Sequence, residues 1–233
     1  MAVSDYTGEE IIANLIIKGG KKYEERVWMP RTVFNDPANK DAYIIGNGKS
    51  RTGFDLYSLP QDTYGCNALY RDYTPDFLIC VDRKMYKEIK DAEYGEKNIV
   101  YTNHFNITRF GGNCHLIPKN PYKGAGPCAS HIAIHDGHTN LYMLGFDCAE
   151  DGVDNNVYVN SENYADEKSV VSVTVWARQV FEIMQANPQV TFTYVEGVQP
   201  QNYAQLPNYR KITYAELNTC LLYTSPSPRD IGE

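Results

Sequence analysis

The sequence contains no long hydrophobic run and no cluster of lysines and arginines. No apolar stretch approaches the roughly 20 residues that a membrane-spanning helix needs, and the first residues lack the pattern of a signal peptide. The chain is acidic, with a formal net charge of -7, and carries no basic patch of the kind that binds phosphate backbones. These absences argue against a membrane span and against nucleic acid as the main partner.

Closely spaced cysteine pairs are also missing, since no Cys-x-x-Cys occurs. Five of the six cysteines lie mostly within or beside apolar stretches, and they are Cys66, Cys80, Cys114, Cys128 and Cys148. An odd number of cysteines in such positions is typical of buried free thiols in a reducing compartment. We therefore expect a cytoplasmic protein without disulfides.

The C-terminal tail looks foreign to the rest of the chain. Residues 220–230 read CLLYTSPSPRD, which is the one-frame translation of a transposase-end adapter used in DNA library preparation. We expect residues 220–233 to derive from that adapter and exclude them from the fold prediction. A tail of this kind is typical of chains read from mixed, metagenomic DNA.

Short apolar runs of strand length alternate with helical patterns. Residues 1–40 are predicted to form an N-terminal helix over 8–18 and an irregular lead-in, packed on a domain at 41–219. Predicted strands cover 42–46, 63–69, 76–82, 98–102, 114–118, 140–147 and 189–197, and predicted helices cover 83–95, 126–137 and 166–187. This alternation predicts a single α/β domain with a doubly wound, mostly parallel sheet and helices on both faces.

The first predicted strand runs into the turn Gly46-Asn47-Gly48-Lys49-Ser50. In open parallel sheets, ligands bind beyond the carboxyl ends of the strands. Glycines allow the backbone to approach a ligand, and the following amides can point at an anion. The turn is neither a Walker loop nor a Gly-x-Gly-x-x-Gly fingerprint, so it predicts either a nucleotide phosphate site or a structural loop.

Three further strand ends carry polar residues: Asn67, Asp82 and Asp147. Asn67 could contact a base or ribose, or serve as a turn residue. The two aspartates could bind ribose hydroxyls or a metal ion, or activate an acceptor hydroxyl, and helix capping explains them equally well. Gly124-Ala125-Gly126 precedes a predicted helix and offers a second set of amides to a phosphate.

Two stretches bring a known family to mind: IIGNGKSRTGFDLYSLPQDTYGCNALY and AGPCASHIAIHDGHTNLYMLGFD. They resemble bacterial sialyltransferases that use CMP-sialic acid. The same Rossmann-like layout occurs in motility-associated glycosyltransferases and in hydroxymethylpterin diphosphokinase-like proteins. The first stretch follows the family in its glycine turn and in a strand that ends in Cys-Asn, and the second follows it in a strand that ends in Gly-x-Asp.

The resemblance implies roles for particular residues. A nucleotide phosphate would be lined by Gly46, Asn47, Gly48, Ser50 and Gly126, the nucleotide would contact Asn67, and Tyr158 and Tyr164 would assist the departing phosphate. The chain departs from the family at Lys49, where proline is usual, and at Ala125, where serine is usual. It also has no histidine after His138, although the family places its catalytic base there.

Three functions follow from these patterns. The first is a glycosyltransferase with a nucleotide-activated donor, for example a CMP-sugar, and a glycan or small-molecule acceptor near the polar loop 150–167. Asp147 or Asp82 would be the base, and Tyr158 and Lys49 would stabilise the leaving phosphate without a metal. The second is an ATP-dependent diphosphotransferase in which Asp82 and Asp147 hold Mg²⁺. The third is a non-catalytic nucleotide-binding domain of phage origin.

Other groupings have plainer explanations. His131, His135 and His138 have helical spacing that suits a metal, but solvent-facing or capping roles explain them as well. His135 or His138 could act as a base if that end of the helix faces the site. Tyr70 and Tyr73 could flank a base or sugar ring, or belong to the edge of the core.

Overall fold

The computed structural model describes residues 8–30, 40–60, 62–119, 121, 123–148, 156–164 and 173–224. Its strands and helices alternate along most of this length. In chain order they are β1 Gly8–Lys18, β2 Lys21–Pro30, β3 Asp41–Ile45, β4 Thr63–Cys66, β5 Phe77–Ile79, α1 Arg83–Asp91, β6 Ile99–Thr102, α2 His104–Phe110, β7 His115–Leu116, α3 Ala125–Asp136, β8 Asn140–Leu144, α4 Val173–Ala186, β9 Thr191–Val195, β10 Tyr209–Ile212 and α5 Tyr214–Thr224.

Strands β3 to β10 form one eight-stranded sheet in the order β10-β9-β8-β3-β4-β5-β6-β7. Every pair in it is parallel. The chain moves outward from β3 to β7, then returns to the other side of β3 and adds β8, β9 and β10. The order therefore reverses between β3 and β8, which we call the switch point, and the prediction of a doubly wound α/β domain is confirmed.

Side chains that alternate along β3 cover both faces of the sheet. Ala42 and Ile44 pack in a core with residues of α3 and α4, while Tyr43 and Ile45 pack on the opposite face, with Leu217 of α5. Farther along the second face, residues of β5 and β6 pack on α1. Burial on both faces explains why the strands read as continuous apolar runs, since each fully buried aliphatic side chain stabilises the fold by about 1.5–3 kcal/mol.

The predicted N-terminal helix over 8–18 is wrong, because these residues form strand β1, which pairs antiparallel with β2. Gly19 and Gly20 connect the strands with φ values of +57° and +78°, the conformation that two-residue hairpin turns require. Gly19 is thus the first residue of a hairpin turn and not the end of a helix. The hairpin lies against β7 and α2.

Several predicted boundaries also shift. Strand β4 ends at Cys66 because Asn67, with a φ of +52°, starts a 3-10 turn. Strand β8 ends before Gly145, which has a φ of +67°. The predicted helix start at 166–172 lies outside the described residues. Helix α2, strand β10 and helix α5 were not predicted, and α5 runs into the suspected adapter tail.

The five cysteines that precede that tail are buried free thiols, as expected. Burial raises the pKa of the Cys128 and Cys148 thiols to about 12, so both are protonated and unreactive at neutral pH. None of the helices in the described ranges is long and apolar enough to cross a bilayer.

Candidate functional site

The chain turns sharply after both strands that meet at the switch point. The Gly46 amide donates to the Leu144 carbonyl and the Gly48 amide to the Gly145 carbonyl, each at 2.8 Å. A Cβ on Gly46 would lie 2.5 Å from the Gly145 oxygen, so the two backbones cross at a distance that only glycine permits. Ligands of open α/β sheets bind in this place, at the carboxyl ends of strands where the order reverses. We call this side of the sheet the carboxyl edge.

Asp147 fastens the turn that follows β3. Its Oδ2 accepts a hydrogen bond from the Ser50 amide at 2.7 Å, and the residue is only 6% exposed. Its carboxylate lies so close to Gly48 that a Cβ there would be 2.6 Å from Oδ2. Gly197, which follows β9, lies even closer to Oδ1. Asp147 therefore orders the glycine turn and the end of β9 together.

Two asparagines and a serine place polar atoms at the same edge. Asn47 donates through Nδ2 to the Cys66 carbonyl at 3.1 Å, but its Oδ1 is buried without a partner among the described residues. The same holds, within the described chain, for Asn67 Oδ1 and Ser50 Oγ. Each such atom costs about 1–3 kcal/mol, and buried polar groups left unsatisfied are typical of sites built for a ligand or ordered water.

The 156–164 segment covers this edge. The Val157 amide donates to the Asn47 carbonyl at 2.9 Å, and Asn156 forms a bridge with Gly48. Tyr158 is buried, and its hydroxyl accepts a hydrogen bond from Arg51 Nη2 at 3.1 Å. Burial, and next a hydrogen bond with Asp72, raise the pKa of Tyr158. Its phenol is therefore neutral, and its hydroxyl lies between Arg51, which donates to it, and Asp72.

Tyr164, the second tyrosine of that segment, is placed among the ends of three strands. Burial raises the pKa of its phenol, and the nearby Cys80 and Asp82 raise it further. Its hydroxyl also interacts with the side chain of Asn47. The two tyrosines, whose rings are 6.1 Å apart, thus lie over the carboxyl ends of β3, β4 and β5.

An ion pair between Arg71 and Glu88 anchors the segment to the domain. Arg71 donates from Nε and Nη2 to the two carboxylate oxygens at 2.8 and 2.7 Å. It also donates from Nη1 to Ser161 Oγ at 2.8 Å and from Nη2 to the Glu162 carbonyl at 2.9 Å. Partial burial opposes ionisation of Glu88, but hydrogen bonds from Arg71, Tyr70 and Asn163 outweigh it and lower the pKa of this carboxyl.

Gly124-Ala125-Gly126 lies at the start of α3, at the same carboxyl edge. Gly124 caps the helix without a side-chain hydrogen bond, and its amide donates to Gln179 Oε1 at 2.8 Å. Added Cβ atoms on Gly46 and Gly126 would lie 3.2 and 2.9 Å from the ring of Phe146. The two glycine-bearing corners therefore adjoin, with one phenyl ring between them.

Asp82 caps helix α1. Its Oδ1 accepts from the Met85 amide at 2.9 Å, the role that sequence reasoning weighed against a chemical one. The residue is exposed at the carboxyl end of β5, whereas Asp147 is buried. Lys49, on the glycine turn, is also exposed.

His135 and His138, at and just after the end of α3, lie away from this edge. His138 stands two residues before β8, whose first residue pairs with the first residue of β3, so it is at the opposite side of the sheet. It is buried there against the Tyr64 hydroxyl at 3.1 Å, while His131 Nε2 contacts the Pro118 carbonyl at 2.9 Å. The expectation that His135 or His138 could reach the site as a base is therefore wrong, and His138 is not solvent-facing.

The tyrosines proposed to flank a ring are engaged in the protein. Tyr70 donates to Glu88 at 2.7 Å, and Tyr73 is buried with its ring against Tyr57. Among the described residues there is no group of three His, Cys, Asp or Glu side chains able to hold a metal ion. Residues 150–155 and 165–167 of the polar loop lie outside the described chain.

A cavity of about 360 Å³ lies elsewhere, between the end of α1 and the loop before β7. It is lined by Tyr86, Lys90 and Gly112, among others. Because α1 runs away from the carboxyl edge, this cavity is on the opposite side of the sheet from the glycine turns. It shares no residue with the site described above.

Sequence reasoning missed Arg71, Glu88 and the two glycines that face Asp147 and the β3 turn, Gly145 and Gly197. Arg51 is visible in the sequence as a cation that adds positive charge near the glycine turn, but its contact with Tyr158 is not. Arg71 and Glu88 carry no local signal, because 17 residues separate partners that meet only in the folded chain.

No protein-family model and no curated protein matches the chain. Two solved structures are similar to it. One is a variant of the sialyltransferase CST-II in complex with CMP, with 15% identity, a TM-score of 0.45, and coverage of 72% of this chain and 87% of that one. The other is the sialyltransferase CstII from Campylobacter jejuni in complex with cytidine-5'-monophosphate, with 15% identity, a TM-score of 0.43, and coverage of 66% and 79%.

Proposed function

We propose that this chain is a glycosyltransferase that binds a nucleotide-activated sugar at the carboxyl edge, over the switch point. The observation that supports the proposal is the set of buried polar atoms without partners among the described residues: Asn47 Oδ1, Asn67 Oδ1, Ser50 Oγ and Arg51 Nε. They lie at the ends of two consecutive strands, β3 and β4. A nucleotide has both the donors and the acceptors that could form hydrogen bonds with them.

The glycine turn would hold the phosphate of the donor. Gly46, Asn47, Gly48 and Ser50 bring the backbone close to it, and exposed Lys49 adds charge. At the start of α3, the amides of Ala125 and Gly126 would contribute the partial positive charge of a helix N-terminus, beside Gly124, whose own amide is bonded to Gln179. Asn67 would contact the ribose or base. Because the motifs resemble enzymes that use CMP-sialic acid, cytidine is the first base to test.

The 156–164 segment would assist departure of the phosphate. Tyr158 is neutral and buried, and its hydroxyl would turn from Asp72 to donate to an oxygen that gains charge as the glycosidic bond breaks, while Arg51 still donates to it. Tyr164 lies beside Asn47 and could do the same.

The acceptor hydroxyl needs a base within hydrogen-bond reach. Of the two candidates, Asp82 is the better one, since it is exposed at the carboxyl edge. Capping of α1 engages only its Oδ1, which leaves Oδ2 for the acceptor hydroxyl. Asp147 is buried and holds the Ser50 amide, so we assign it to positioning of the glycine turn.

Binding of nucleotides tests the proposal. We expect CMP or CMP-sialic acid to raise the melting temperature, since a ligand at 100 times its Kd stabilises the fold by about 2.7 kcal/mol. Asn47→Ala and Asn67→Ala should abolish the shift, whereas Asn140→Ala, at the opposite side of the sheet, should not. Release of CMP from the donor, followed by chromatography with and without acceptors, then measures turnover.

Other outcomes would contradict the proposal. Stabilisation by ATP with Mg²⁺ but not by cytidine nucleotides would indicate a diphosphotransferase. If the protein binds a nucleotide but turns over no nucleotide sugar, and variants of Asp82 bind the nucleotide as well as wild-type protein, it would be a binding domain without activity.

A further inference from the structure

Arg51 is a buried cation directly behind the glycine turn. It ends the 3-10 turn Lys49–Arg51 and is only 8% exposed. Its side chain passes Gly145 so closely that a Cβ on that glycine would lie 3.2 Å from Arg51 Cδ. Because Gly145 has no side chain, the side chain of Arg51 can pass beside it, and its guanidinium lies at the switch point.

The guanidinium has only part of the hydrogen bonding that it needs. Nη2 donates to the Tyr158 hydroxyl, and the guanidinium carbon lies 5.7 Å from the centre of that ring. Nε is buried and has no hydrogen-bond partner among the described residues. Within those residues, the ion pairs involve Arg71, Lys87, Lys90, Lys123 and Arg178, and none involves Arg51.

Such an arrangement is costly unless an anion completes it. Arginine stays protonated in proteins, and burial of a charge without a counter-ion destabilises a fold. Phosphate suits this side chain, since the guanidinium presents a planar fork of donors that can bind two phosphate oxygens at once. Sites where a sequence departs from the most stable choice are typically functional.

We propose that Arg51 binds the phosphate of the donor through Nε and an adjacent Nη atom, while Tyr158 holds the guanidinium from the other side. The inference deepens the proposed function and rests on it for the chemical class of the ligand. It assigns a different role from that of a structural strut, in which Arg51 would serve only to support Tyr158.

Cytidine and CMP at constant ionic strength separate the phosphate from the rest of the ligand. We expect wild-type protein to bind CMP more tightly than cytidine, and Arg51→Met to lose about 10- to 100-fold in CMP affinity while cytidine binding stays the same. Arg51→Lys keeps the charge without the fork and should fall in between. Lys49→Met removes a charge from the same turn at an exposed position and should lose far less.

The stability of the unliganded protein distinguishes the two roles. If the role of Arg51 is to bind an anion, Arg51→Met removes an uncompensated charge from the unliganded protein. This variant should then melt at or above the wild-type temperature. A lower melting temperature with an unchanged preference for CMP over cytidine would overturn the inference in favour of the strut. If Arg51→Met does not fold, an unchanged preference of Arg51→Lys for CMP over cytidine would also overturn the inference.

Further probes separate a failure of this inference from a failure of the proposed function. Base-free pyrophosphate and the nucleotides ADP and UDP extend the panel. If none of these probes nor CMP stabilises wild-type protein, the inference fails. Phosphate binding that depends on Arg51, without turnover of any nucleotide sugar, would support the inference and contradict the transferase. Full turnover of a nucleotide sugar by Arg51→Met would contradict the inference and support the transferase.

Discussion

The Asp147 carboxylate and the Ser50 amide are joined by a hydrogen bond of 2.7 Å although 97 positions separate them in the chain. This bond ties the turn after β3 to the turn after β8, and therefore closes the switch point from both sides. The proposed phosphate site depends on it, since Ser50 and the glycines before it keep their conformation only while the turn is held.

Removal of this carboxylate should loosen the turn. We expect Asp147→Ala to lower the free energy of unfolding by about 1–3 kcal/mol, because the Ser50 amide is left without its acceptor. Asp147→Asn should cost less, since its amide oxygen can accept the same bond. Urea unfolding measures both. Asp55→Ala, which removes an acceptor from the exposed Tyr57 amide, is the control, and an equal loss there would contradict the role of Asp147.

A methyl group at Gly48 should disturb the same contact. Its Cβ would lie 2.6 Å from Asp147 Oδ2 and 2.7 Å from the Gly145 oxygen, and overpacking of this kind costs about 1–3 kcal/mol. Gly124→Ala is the matched control, since the nearest atom to its Cβ is 3.6 Å away. Thermal unfolding of the two variants should differ clearly, and equal melting temperatures would show that the turn can relax.

Asp82 can be tested separately as a cap and as a base. Asparagine is as good an N-cap as aspartate, so Asp82→Asn should leave stability nearly unchanged but lower the rate of transfer by about 10²–10⁴-fold if Asp82 is the base. Asp82→Ala should in addition lose about 1 kcal/mol of stability. Steady-state kinetics and urea unfolding measure the two effects, and an active Asp82→Asn enzyme would exclude this base.

The ion pair between Arg71 and Glu88 should control the 156–164 segment. Glu88→Gln removes the charge that holds Arg71, so we expect faster hydrogen exchange in that segment and a loss of stability of about 1 kcal/mol, the upper range for partly exposed pairs. Lys87→Met is the control, because it breaks an exposed ion pair with Asp91 on the same helix. If exchange in the segment is the same in both variants, Glu88 does not anchor it.

His138 should make the fold sensitive to acid. Burial, and Lys40 nearby, lower its pKa, while Asp62 and Asp41 act in the opposite direction. Since the pKa in the folded state is below that of the unfolded chain, near 6.5, the stabilisation by neutral, buried His138 is complete above the unfolded value and is lost as the pH falls through the lower pKa of the folded state. Urea unfolding at pH 7.5 and 5.5 should show a smaller difference for His138→Gln than for wild-type protein, and equal differences would contradict the assignment.

The elements that were predicted well are those whose signal is local. Continuous apolar runs such as 42–45 and 140–144 indicate strands buried on both faces, and Gly46 and Gly48 indicate a turn directly after the first of these runs. The N-terminal hairpin was mistaken for a helix because a glycine after an apolar segment marks both a helix end and a hairpin turn. Asp82 was correctly identified as a possible cap because capping needs only its own helix.

The sequence alone determined the class of fold, the buried thiols and the positions of the glycine turns, because each depends on residues close together in the chain. The assembly of the candidate site depended on contacts between distant residues. Packing of β8 beside β3 brings Asp147 to Ser50, and the return of the 156–164 segment brings Tyr158 to Arg51. No local pattern encodes such pairings, since they arise from the order in which the strands join the sheet.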